Sequence, residues 1–299
     1  MKAKWVVLAL LVVALPPGRA IAYGSESGPG AASEPHHEIR YGYALMNTSG
    51  SLHGTPFPCP EPTAGGEASL ALEPPAVEAV GMSFFLDPAL VGRVRVARSD
   101  GTVNAAGSPV TGVALAAPIV GVATMPLGLG YWLAGADGGV FTADGAAFHG
   151  SMGGRHLNAP VVGMAATASG AGYWLAAADG GVFAFGDAPF AGSLGDRPPR
   201  SPVVGIAASP TGQGYWLVSA DGGVFAFGDA SFFGSRAGQP LNEPVVGIAA
   251  IRTGDGYWLA AADGGVFAFG KAVMNLSLAG EPWRSPTAAI AMWPQQCPD

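Results

Sequence analysis

The sequence has 299 residues, 49% of them hydrophobic and only 12% charged, with 47 Gly, 26 Pro, 2 Cys and a formal net charge of −7. So apolar a composition excludes a disordered chain, and Gly and Pro at this density would interrupt the helices of an all-α protein. Gly does not recur at every third position, which excludes a collagen-like rod, and what remains is many short buried strands joined by tight turns.

In chain order, residues 1–22 have the pattern of a secretory signal peptide. Lys2 and Lys4 give the positive start, Trp5 to Leu15 is an unbroken apolar core, and Ala20-Ile21-Ala22 is a small-x-small cleavage pattern. The core is short for a bilayer span, a retained anchor being the alternative, and no later stretch does better. Cleavage removes Lys2, Lys4 and Arg19 of the 14 basic residues, leaving 11 against 21 acidic and a net charge of −10. A chain this acidic is unsuited to nucleic acid or to an anionic membrane surface. A secreted or cell-envelope location follows. Residues 23–37, opening Tyr-Gly-Ser-Glu-Ser-Gly-Pro-Gly, read as a flexible linker.

From residue 118 the chain repeats itself every 42 residues. Gly-Tyr-Trp-Leu begins at Gly130, Gly172, Gly214 and Gly256, setting Trp132, Trp174, Trp216 and Trp258 at that interval. Asp-Gly-Gly-Val-Phe follows at Asp137, Asp179, Asp221 and Asp263, and Pro118, Pro160, Pro202, Pro244 and Pro286 keep the spacing. Each unit offers a first strand (as at 245–250), a second (257–260) and a third (265–269), the last two joined by an Asp-Gly turn. Phe-Ala-Gly-Ser (190–193) and Phe-Phe-Gly-Ser (232–235) suggest a fourth. Four strands in about 42 residues is the signature of a propeller blade. The second and third strands are apolar on both faces, as sheets packed face to face around a ring require.

The regular repeats are 118–159, 160–201, 202–243 and 244–285. Residues 38–117 hold degenerate copies, in which Val80-Gly81-Met82 resembles a first strand and Asp100-Gly101 a turn. The earliest copy, Gly42 to Leu52, lacks a first strand, whereas 286–293 is a first strand with no successors. The fold expected is all-β, a β-propeller over 38–299 with six four-stranded blades and a ring closed by the C-terminal strand. Five or seven blades follow if a degenerate copy is misread. Cys59 and Cys297 flank the closing blade, and in an exported chain one disulfide between them would staple it, stabilising by up to about 5 kcal/mol.

No Gly-x-Ser-x-Gly, Ser-x-x-Lys, His-Glu-x-x-His or P-loop pattern occurs, and the five His have no metal-ligand spacing. No catalytic residue, metal or cofactor is expected. Asp137, Asp179, Asp221 and Asp263 read as turn residues bonding their own backbone, with calcium binding the alternative. The four Trp read as inter-blade packing, with sugar stacking the alternative. The segments between blades vary most and carry Arg155, His156, Arg197, Arg200, Arg236, Trp283 and Arg284, the candidate ligand-binding residues. An arginine ring would receive carboxylated or phosphorylated polymers bidentately; alternatively each Arg bonds loop carbonyls or a neighbouring blade.

The unit Gly-Tyr-Trp-Leu-x-x-x-Asp-Gly-Gly-Val-Phe-Ala-Phe-Gly-Asp-Ala at 172–188 resembles the tandem repeats of exported actinobacterial proteins. The resemblance is close over 118–285 and loose over 41–117. It implies a secreted propeller-like module and carries over no catalytic residue. The leading expectation is a non-catalytic module that binds a surface or cell-wall glycan or a protein. The alternatives are a glycosidase or polysaccharide lyase with an acidic site at the axis, and an architectural envelope protein. An axis lined by Ala, Val and Ile favours the first; two or three carboxylates there favour the enzyme.

Overall fold

Gly214–Ser219, Gly-Tyr-Trp-Leu-Val-Ser, is buried along its whole length, so neither face is wet and no polar alternation is needed. The chain then turns through Ala220-Asp221-Gly222. The Gly222 N–H donates to the Ser219 carbonyl at 2.8 Å, and Gly222 adopts a φ of +77°, a conformation open to Gly without steric cost. In these Asp-Gly turns positive φ thus falls on the Gly. Asp221 instead accepts the Gly223 N–H on Oδ1 at 3.1 Å, the local side-chain bond that favours Asp in turns. Asp137, Asp179 and Asp263 do the same for Gly139, Gly181 and Gly265 at 3.0, 2.9 and 2.9 Å.

The computed structural model describes residues 39–47, 52–54, 79–86, 92–103, 114–125, 130–274, 277, 279 and 287–296. The signal-peptide and linker assignments, Cys59, Cys297, Trp283 and Arg284 lie outside them. The strands, in chain order, are β1 (Ile39–Asn47), β2 (Leu52–Gly54), β3 (Ala79–Leu86), β4 (Gly92–Arg98), β5 (Ile119–Thr124), β6 (Tyr131–Gly135), β7 (Val140–Ala143), β8 (Val161–Ala166), β9 (Gly172–Ala177), β10 (Val182–Gly186), β11 (Val203–Ala208), β12 (Gly214–Ser219), β13 (Val224–Gly228), β14 (Val245–Ala250), β15 (Gly256–Ala261), β16 (Val266–Gly270) and β17 (Thr287–Gln296). Among the described residues they form six antiparallel sheets. Four are successive hairpin-joined triplets from β5 to β16, one is the pair β3-β4, and one has the order β17-β1-β2. In the last, β17 pairs with β1 from Ile39↔Gln296 to Asn47↔Thr287.

The first strands β3, β5, β8, β11, β14 and β17 lie side by side in that order, with β17 also beside β3. Each carries a bulge at its second residue, as between Val203 and Gly205 or Val245 and Gly247, which increases the local twist. A Cβ on Gly121 would stand 3.2 Å from the Met164 amide nitrogen, so Gly at this position lets neighbouring first strands approach. Backbone bonds stitch the sheets here. The Ala178 N–H donates to the Pro160 carbonyl and the Ala178 carbonyl accepts the Val203 N–H of the next sheet, both at 2.9 Å. Ala136, Ala220 and Ala262 repeat this link.

The fourth strand expected at 190–193 and 232–235 does not form; the regular sheets have three strands each. The polar groups of these segments go to side chains rather than to a ladder. Trp174 and Trp216 donate Nε1–H to the carbonyls of Pro189 and Ser231 at 2.8 and 2.7 Å. Tyr215 and Tyr257, from the following sheet in each case, donate to the carbonyls of Gly192 and Gly234 at 2.5 and 2.6 Å. Gly192 and Gly234 hold φ of +127° and +132°, which takes the chain out of the extended region.

Candidate functional site

The residues that define the repeat are taken up in packing. Trp132, Trp174, Trp216 and Trp258 are each 0–1% exposed. The Trp rings of three sheets meet the Tyr of the next: Trp132–Tyr173 at 5.3 Å, Trp174–Tyr215 at 5.4 Å and Trp216–Tyr257 at 5.8 Å between centroids. A buried indole cannot offer a face to a sugar. The four turn Asp hold backbone amides, as described above.

What differs from copy to copy lies on the face where the Asp-Gly turns project. Met152, Leu194 and Arg236, which open the connecting segments, each donate N–H to the turn glycine carbonyl (Gly138, Gly180 and Gly222) at 2.8 Å. The segments close at Val161, Val203 and Val245, bonded to Ala136, Ala178 and Ala220. Both ends of each connection are thereby fixed to the same turn. Arg155, His156, Arg197 and Arg200 are exposed there. Arg155, Arg197 and Arg200 make no side-chain hydrogen bond or ion pair among the described residues. Loop bonding, the alternative reading of these arginines, does not account for them.

Arg236 is placed differently. It stands where Met152 and Leu194 stand in the earlier copies, and its guanidinium carbon lies 4.6 Å from the ring centre of Phe267 on β16. It donates to the Gln239 side-chain carbonyl and, at 3.3 Å, to the Pro240 carbonyl. It joins two sheets rather than the exposed set.

The opposite ends of the sheets carry a second acidic position. Asp187 accepts from Thr167 at 2.8 Å and from Ser169 at 2.5 Å, and Asp229 accepts from Thr211. Lys271 replaces this Asp in the next copy, where Asp255 appears in the facing turn, and the two pair at 2.6 Å. The hydrogen bonds from Lys271 and Thr253 hold the Asp255 carboxyl below its usual range. The substitution of Lys for Asp is therefore compensated within the same sheet.

The first strands surround a cavity of about 100 Å³ lined by Val80, Val120, Met164, Ile206, Ile248 and Ile290 together with Gly and Ala positions. Among the described residues, its lining contains no carboxylate. Two features were not foreseen from the sequence. The Tyr hydroxyls staple neighbouring sheets, and Phe148, Phe190 and Phe232 are 60%, 63% and 58% exposed on three successive repeats. Their 42-residue spacing was the available signal.

No family model and no curated protein matches the chain. Among solved structures, a chain of the nidogen/laminin complex superposes with a TM-score of 0.56 at 13% identity, covering 85% of this chain and 98% of that one. The β-propeller domain of Myceliophteria thermophila Cps50 (Swd1) gives 0.42 at 15% identity, covering 65% and 66%. The first likeness shows a β-propeller fold. Among the described residues, no helix is long and apolar enough to cross a membrane.

Proposed function

We propose that this chain is an exported, non-catalytic propeller whose six sheets close into a ring and whose turn face binds a protein partner. The observation that carries the reading is the division of labour within the repeat. The recurring Trp, Tyr, Asp and Pro are consumed in packing and turns, while Arg155, Arg197 and Arg200 of the varying connections stand exposed on one face with no side-chain hydrogen bond or ion pair among the described residues. Variable connections on a rigid scaffold are where recognition resides, and Arg is favoured at protein interfaces. The cyclic adjacency of the first strands and the pairing of β17 with β1 support closure. The nidogen/laminin complex is an assembly of protein partners, which supports a protein rather than a glycan.

The test is capture of the labelled protein by isolated envelope. Binding should survive digestion of the glycan, be lost after protease treatment of the envelope, and fall at least about tenfold in Arg155→Ala/Arg197→Ala/Arg200→Ala. The melting temperature should not change, because these exposed side chains make no hydrogen bond or ion pair among the described residues. Binding that survives protease but is lost on glycan digestion would replace the protein partner with a glycan. No binding by either preparation, with self-association instead, would favour the architectural reading.

A further inference from the structure

The connection 236–244 and the Asp221 turn border a second cavity, open to the surface and of about 450 Å³, lined by Ser201, Asp221, Gln239, Leu241, Asn242 and Glu243 among others. That is within the size range of ligand pockets, roughly 300–1,000 Å³. Its polar groups are largely uncommitted. Ser201, Asn242 and Glu243 make no side-chain hydrogen bond or ion pair among the described residues. Asp221 uses Oδ1 for the Ser219 hydroxyl at 2.6 Å and the Gly223 N–H, which leaves Oδ2. The repeat does not call for Glu243, because Ala159 and Ser201 occupy its place in the two preceding connections. A carboxylate has thus been added to the lining that holds the turn Asp, and among the described residues no basic residue lines the cavity. Of the cations nearest in sequence, Arg200 adjoins Ser201 and forms no ion pair with either carboxylate among the described residues, and Arg236 has its guanidinium against Gln239, Pro240 and Phe267.

We infer that this cavity receives a cationic side chain, an arginine or lysine, from the protein partner. Two carboxylates favour a guanidinium or ammonium head through charge-assisted bonds. The Asn242 and Ser201 oxygens complete the acceptor set, and Leu241 and Pro244 offer apolar surface to the aliphatic stem. The inference rests on the reading of this face as a protein-binding surface and names the group that the partner contributes.

The experiment is an NMR titration of the whole isotopically labelled chain with N-acetyl-arginine amide and with its neutral isostere, N-acetyl-citrulline amide. The arginine compound should shift the Gln239 and Asn242 side-chain amide signals and the Gly238 N–H in a saturable manner. Affinity should fall at least about tenfold for the citrulline compound and for Glu243→Gln, as expected on losing one charge-assisted contact. Equal shifts from both compounds, or unchanged binding in Glu243→Gln, would overturn the inference. The two proposals separate in the envelope assay. If capture is protease-sensitive yet unaffected by Glu243→Gln and the arginine compound does not bind, the cavity inference fails alone. If the arginine compound binds at the cavity but the envelope captures nothing, the partner reading fails and the cation site stands.

Discussion

The Tyr215 hydroxyl reaches across from β12 to the carbonyl of Gly192, a residue of the preceding repeat, while its ring packs on Trp174. Tyr215→Phe keeps the ring and removes the hydroxyl, leaving a part-buried carbonyl without its donor. The expected loss is about 1–2 kcal/mol in urea unfolding with an unchanged slope. Trp216→Ala removes a whole buried ring and should cost about 3–5 kcal/mol. Burial raises the Tyr173, Tyr215 and Tyr257 hydroxyls above their ordinary value of 10.0, against the lowering effect of their backbone hydrogen bonds. A group whose pKa is raised on folding contributes stability that is complete below the unfolded value and is lost as pH climbs through the folded one. The midpoint of urea unfolding should therefore be flat near neutrality and fall above pH 10, and the fall should be shallower in a Tyr173→Phe/Tyr215→Phe/Tyr257→Phe chain. Arg236 shows the limit of single-residue reading. As a basic residue of a variable connection it belongs with Arg155 and Arg197, although its repeat position is that of Met152 and Leu194, and it is the arrival of Phe267 from the next sheet that turns it inward.

At the scale of the element, the first three strands of each repeat were legible because their signals are local. An apolar run buried on both faces, an Asp-Gly turn and a Gly-rich first strand each declare themselves within a few residues. The fourth strand was misread because Phe-Ala-Gly-Ser has the composition of a strand, whereas its hydrogen-bond partners are a Trp on its own sheet and a Tyr on the next. No window of the sequence contains both. The geometry makes a definite claim about Gly192, whose φ is +127° and whose added Cβ would lie 2.9 Å from Phe227 Cδ1. Gly192→Ala should cost about 2 kcal/mol or more. Gly154→Ala, at φ +76° with nothing within 4 Å, should cost only the conformational penalty of about 1 kcal/mol. Equal thermal shifts in the two variants would mean that the 190–193 segment is not seated against β13.

For the whole molecule, the 42-residue period carried most of the architecture, since a unit that cannot bury both faces alone must stack on its neighbours. The exposed arginines of the candidate site could be read from the variable connections. The cavity beside Glu243 could not, because its wall combines Ser201, the Asp221 turn and the connection 238–244 from two successive repeats. The account depends above all on the C-terminal strand β17 completing the sheet begun by β1, since an open arc would leave the first strands β3 and β14 uncovered and the turn face without a fixed shape. The most direct measurement is disulfide formation in a Cys59→Ser/Cys297→Ser background carrying Ala44→Cys and Ala291→Cys, which are register partners and so within bridging reach of one another. Mild oxidation should give a single intramolecular crosslink, quantitative by mass mapping, and a higher unfolding midpoint than the reduced form. Two free thiols after oxidation, together with unchanged stability on removal of residues 287–299, would contradict the closed ring.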